Sequence, residues 1–170
     1  MADSYSLYVI RHAIAAERGA EYPDDTRRPL TGDGISRFQK IVAGLEELEI
    51  DVEIVLTSPL LRARQTADLL SKGLRGHPTV VETRALSPGA AYKELMTELG
   101  RHARRSSVAL VGHEPHLGET AARLVGCAGR FDFRKGGVCR IDVDALPPSG
   151  PGRLQWFAPP KILVRMPGSR

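Results

Sequence analysis

The sequence has few cysteines, few aromatic residues and no long apolar run. The two cysteines, Cys127 and Cys139, are too few for a disulfide scaffold and lack the CxxC spacing of zinc or redox sites. They read as small residues of a protein kept in a reducing compartment. No apolar stretch approaches the roughly 18 residues that span a bilayer. The opening MADSYSLYVIRHA has no basic segment followed by a long apolar core. A cytoplasmic protein with no membrane partner is therefore expected. Aromatics make up only 5%, and the arginines are scattered rather than interleaved with them. That pattern argues against nucleic acid as a partner despite a formal charge of +4.

What is present suits one globular domain. The 170 residues are 42% hydrophobic, enough for a substantial core and short of two typical domains. A single domain over 1–170 is expected, with 158–170 as a C-terminal tail that packs partly through Ile162 and Leu163. Arginines outnumber lysines 19 to 5, and guanidinium suits planar contacts to phosphate or carboxylate.

Residues 5–10 read as a buried strand and 13–32 as a polar loop, long for a compact domain. Over 33–49, Ile35, Phe38, Ile41, Val42, Leu45 and Leu48 fall on one helical face, with Asp33 as the N-cap. A second strand at 52–58 leads through Pro59 into a helix over 60–72. A third strand covers 79–82, a helix 90–104, a fourth strand 107–112 and a helix 115–125. After Gly126, the segment around Val138–Val143 reads as an exposed-face or edge strand. GPG at 150–152 reads as a turn, and RLQWFA as a return strand. Four strands alternating with helices, then an antiparallel pair, predict a three-layer α/β/α sandwich around a mostly parallel mixed sheet.

In such sheets ligands bind beyond the carboxyl ends of the strands. The first strand ends in Arg11-His12, the second leads to Arg62, and the fourth ends in Gly112-His113. Two guanidiniums and two imidazoles at one edge call for an anion, and phosphate fits best. A neutral imidazole is a competent nucleophile toward phosphorus, and the nearby arginines disfavour its protonated form. A second Arg-His pair, Arg101-His102, closes a helix, where cations are favoured on dipole grounds alone. HEPH at 113–116 is not a zinc motif, because its histidines are three apart and Pro115 intervenes.

VIRHA at 9–13, TSPLLRARQTA at 57–67 and LVGHEP at 110–115 resemble the histidine phosphatase superfamily. RRPLTGDG at 27–34, FRKGGV at 133–138 and the closing LQWFAPPKIL extend the likeness to its small SixA-type phosphohistidine phosphatases. The resemblance implies that His12 is the phosphorylated nucleophile. It implies that Arg11 and Arg62 bind phosphoryl oxygens with His12, and that His113 completes the phosphate-binding pocket. Arg28 and Glu114 are further substrate-binding candidates, and Lys135 a weaker one. No metal and no organic cofactor is implied.

Two departures stand out. Ala13 replaces the superfamily's usual glycine, which demands an ordinary backbone there. Larger relatives acting on phosphate esters carry a glutamate acid after the third strand, whereas Glu82 belongs to the strand here and Glu94 lies inside the following helix. An alkoxide leaving group needs a proton donor. A phosphoramidate needs less help, because its imidazole can be protonated before it leaves. The expected activity is hydrolysis of phosphohistidine on a protein partner, releasing phosphate. The alternatives are a small-molecule phosphatase acting on an ester, and a catalytically silent phosphate-binding module.

Overall fold

The computed structural model describes residues 4–169. Its strands are β1 (Tyr5–Arg11), β2 (Ile54–Thr57), β3 (Thr79–Glu82), β4 (Ser107–Gly112), β5 (Val138–Val143) and β6 (Arg153–Ala158). Its helices are α1 (Gly32–Glu47), α2 (Leu61–Gly73), α3 (Tyr92–Arg101), α4 (His116–Leu124) and the short α5 (Pro160–Leu163). The strands form one sheet in the order β3-β2-β4-β1-β5-β6. β1 to β4 pair in parallel, and β5 runs antiparallel to both of its neighbours.

The apolar runs of β1 and β4 follow from burial on both faces. Tyr8, Ile10, Ala109 and Val111 face Phe38, Ile41 and Leu45 of α1 with Ala63, Ala67 and Leu70 of α2. Leu7, Val9, Val108 and Leu110 face Leu95 and Leu99 of α3 with Leu117, Ala121 and Leu124 of α4. Helices thus cover both sides of a mixed sheet, the three-layer arrangement expected.

Four details differ from expectation. Thr31 caps α1, its hydroxyl accepting from Gly34 N–H at 2.9 Å, so Asp33 lies inside the first turn. Leu48 lies beyond the end of α1 and is exposed, because the chain turns there into Glu49 at φ 51°. β5 is an interior strand with pairing on both sides. Its imperfect alternation arises where Arg140 and Asp142 pair with each other at 2.9 Å on a half-buried face, next to a register shift against β6. The segment after β6 folds back as α5 rather than trailing as a tail. Leu163 is buried and its backbone lies against Gly44 of α1, whereas Ile162 is exposed.

The register delivers three chain segments to one edge. Arg11 pairs with Gly112 and Thr57 with Val111. Beyond them, His12 N–H donates to Gly112 O at 3.0 Å and Ser58 N–H to Val111 O at 3.0 Å. The turn before β5 closes the same edge, with Gly136 N–H donating to the carbonyls of Arg11 and His12 at 3.1 Å. Gly136 has φ 82°, and a Cβ there would meet Ile41 Cδ1 at 2.8 Å, so this turn requires glycine twice over.

Candidate active site

The imidazoles of His12 and His113 face each other across this edge, their centroids 5.1 Å apart. Both are buried. His12 Nδ1 lies 2.7 Å from Ala13 O. A carbonyl only accepts, so Nδ1 carries the proton and the Nε2 lone pair is free. Ala13 is buried and adopts no left-handed backbone. Its main-chain oxygen serves the site while its methyl joins the buried core, so the ordinary backbone that alanine requires is what the structure has here.

Ala13 is fixed in turn by α2. Its N–H donates to Thr66 Oγ1 at 3.0 Å, and Thr66 Oγ1 donates to Arg62 O at 2.7 Å. One threonine therefore ties the loop holding His12 to the helix turn holding Arg62. His113 Nε2 lies 2.8 Å from Ser58 Oγ.

The two arginines are anchored from outside. Arg11 Nη1 donates to Phe133 O at 2.7 Å, and Phe133 N–H donates to Glu114 Oε1 at 2.9 Å. Arg62 donates through Nη1 to Asp25 O at 2.8 Å and through Nη2 to Asp25 Oδ2 at 3.0 Å. Asp25 also pairs with Arg28 at 2.9 Å and Arg18 at 3.2 Å. Burial works to raise the Asp25 carboxyl, but Arg62 and Arg28 more than offset this and hold it below its ordinary range.

The protein leaves three polar atoms here buried without a partner: Arg11 Nε, Arg62 Nε and His113 Nδ1. Buried donors are rarely left unsatisfied in folded chains. Three residues around one imidazole thus hold buried polar atoms with no protein partner, an arrangement that can take an oxyanion. Both histidines are lowered from 6.5 to about 3. Burial is the main cause, ahead of the arginines. The expectation that the arginines keep an imidazole neutral thus names the lesser of two causes.

The structure brings Arg11, His12, Arg62 and His113 together. Arg28 is buried in the 13–32 loop, with Nε on Asp25 and Nη1 on Ala16 O at 2.6 Å. Glu114 belongs to the anchoring of Arg11. Lys135 is exposed, and its charge reaches His12. Arg101 and His102 both pair with Glu98, at 3.0 and 3.2 Å, which accounts for them structurally. Glu82 pairs with Arg64 at 3.3 Å, and Glu94 is exposed in the first turn of α3. Among the described residues no cluster of three or more His, Cys, Asp or Glu is arranged to hold a metal ion.

The family model of the histidine phosphatase superfamily, branch 1, matches residues 7–87. An uncharacterized protein of Picosynechococcus is 38% identical over 154 residues, 88% of each chain. Phosphohistidine phosphatase SixA of Escherichia coli is 28% identical over 162 residues, 91% of this chain and 93% of that one. The chain belongs to the histidine phosphatase superfamily. A solved structure of the protein histidine phosphatase SixA complexed with tungstate superposes with TM-score 0.82 and 26% identity, covering 93% of this chain and 99% of that one.

Within this site of a histidine phosphatase superfamily member, sequence reading missed Asp25, Ser58 and Thr66. Ser58 was in view as the end of a strand, but not as the partner of His113. Thr66 follows Arg62 by one helical turn, a spacing that places both on one face. For Asp25 the signal was an acidic residue inside an arginine-rich loop. Only the folding of that loop against α2 makes it meaningful.

Proposed function

We propose that the protein hydrolyses phosphohistidine displayed on another protein, through a phosphohistidine intermediate on His12. The observation that carries this reading is the set of three unpartnered buried nitrogens, two of them guanidinium donors, around an imidazole whose Nδ1–H is fixed on Ala13 O. The phosphoryl group binds to Arg11, Arg62 and His113. His12 Nε2 attacks phosphorus, the P–N bond to the substrate imidazole breaks, and that imidazole leaves neutral because its other nitrogen was already protonated. Water then attacks phosphorus, the P–N bond to His12 breaks, and inorganic phosphate departs with the water's oxygen and protons. His12 returns to its Nδ1–H tautomer. The arginines stabilise charge on the equatorial oxygens in both steps.

The carboxylates nearby support a P–N substrate. Asp25 is held ionised by arginines and is a poor proton donor. Glu82 and Glu94 are engaged or exposed elsewhere. The SixA likeness points the same way, and tungstate, bound in that relative, is a tetrahedral oxyanion. The unbridged Cys127 and Cys139 accord with a cytoplasmic setting.

One observation favours a phosphate ester instead. Burial raises the Glu114 carboxyl, and Glu114 lines a cavity of about 440 Å3 together with Arg11. Against it, Glu114 Oε1 already accepts from Phe133 N–H.

The deciding experiment incubates the protein with a histidine-phosphorylated protein and with a panel of phosphate esters, with and without His12→Ala. Faster turnover of the P–N substrate, acid-labile labelling of the enzyme and loss of both in the variant are expected. Faster turnover of esters would move the assignment to the second reading. No phosphate release from any substrate would leave a binding module.

A further inference from the structure

A groove of about 530 Å3 opens beside Arg11. Its apolar lining is Ile14, Pro159 and Pro160, and its charged lining is Arg37, Arg134, Lys135 and Lys161. No carboxylate lines it. Those four cations are exposed, and none forms an ion pair among the described residues. The neighbouring cavity, which shares Arg11 and Arg134, contains Glu114 and Asp132 and is mixed in charge.

The groove is built by the same packing that builds the site. Gly44 of α1 lies where a Cβ would strike the backbone of Leu163, so α1 and α5 meet closely. That contact sets Arg37 of α1 and Lys161 of α5 around one cavity. Arg134 and Lys135 ride on the turn whose Gly136 N–H is bonded to the carbonyls of Arg11 and His12. The groove therefore adjoins the phosphoryl pocket through Arg11, and the turn that carries Arg134 and Lys135 is tied to the backbone of Arg11 and His12.

We infer that this groove docks an acidic stretch of the protein that carries the phosphohistidine. Carboxylates of the partner meet Arg37 and Lys161, and an apolar side chain rests on Ile14 and Pro159. This rests on the P–N reading above. The charge is one-signed and unneutralised, so complementarity selects an acidic occupant. Nucleic acid is the poorer match, because the groove offers no aromatic ring on which a base could stack. The volume suits a few side chains, which is what a partner needs to hold its phosphorylated histidine over His12.

The test compares wild type with Arg37→Glu/Lys161→Glu, both positions outside the phosphoryl pocket. Two substrates are used: an acidic protein phosphorylated on histidine, and phosphoramidate, the smallest P–N substrate. For the protein substrate, kcat/KM is expected to fall about tenfold at low salt, mainly through KM, and the deficit to shrink at high salt. Phosphoramidate hydrolysis is expected to be unchanged. Equal losses on both substrates, or none on the protein, would overturn the inference. So would unchanged protein turnover accompanied by lost RNA binding, which would assign the surface to nucleic acid. If wild type hydrolyses phosphoramidate but the variant treats the phosphoprotein normally, only the docking surface falls. If wild type hydrolyses neither P–N substrate, the underlying reading falls with it.

Discussion

Asp25 grips Arg62 at two points, accepting from Nη1 through its main-chain oxygen at 2.8 Å and from Nη2 through its carboxylate at 3.0 Å. The outer nitrogens of the guanidinium are thereby fixed, while the buried Nε has no protein partner. An acidic residue in a loop thus orients a cation in a pocket.

Asp25→Asn keeps the main-chain contact and removes the charge. Charge-assisted hydrogen bonds are worth about 1.5–3 kcal/mol, so kcat/KM is expected to fall roughly 10- to 100-fold. Asp25→Glu displaces the carboxylate without removing it and should recover part of the loss. Steady-state kinetics on the P–N substrate reads the effect, and unchanged kinetics in Asp25→Asn would show that Arg62 needs no such anchor.

Thr66→Val removes the acceptor for the buried Ala13 N–H and the donor to Arg62 O. An unsatisfied buried group costs about 1–3 kcal/mol. Urea denaturation should show a loss of that size, and activity should fall because Ala13 O no longer holds the His12 tautomer firmly. Thr66→Ser keeps the hydroxyl and should recover activity more fully than stability.

Glu114→Gln retains an oxygen for Phe133 N–H but cannot deliver a proton at neutral pH. A general acid contributes about 10²- to 10⁴-fold. On the P–N reading the variant should lose less than roughly tenfold on a phosphohistidine substrate. A loss of several hundredfold would make Glu114 the proton donor.

His12 and His113 titrate near 3 in the folded chain and near 6.5 when unfolded. Between those values the unfolded chain binds more protons. These two groups therefore cost nothing above pH 6.5, and they progressively destabilise the fold as pH falls from 6.5 toward 3. Melting temperature should drop across that window, and less steeply in His113→Asn, which removes one of the two groups. A parallel fall in the variant would mean that carboxylates, not histidines, set the acid limb.

The sequence by itself determined the layered fold and the one sheet edge at which Arg11, His12, Arg62 and His113 meet. Continuous apolar strands such as VALVG demand cover on both faces, and parallel strands send Arg11-His12, Arg62 and His113 to one edge whatever the loop details. The same local signals misplaced β5 and the last helix. A half-polar strand looks like an edge until its pairing is known, and a proline-rich ending looks like a tail until Leu163 finds α1. Tertiary structure alone decided what holds the pocket in shape. Asp25 to Arg62, Ser58 to His113 and Thr66 to Ala13 lie 37, 55 and 53 residues apart in the chain. No periodicity or short motif encodes such pairs, because each bond exists only once the fold has brought distant segments of the chain together.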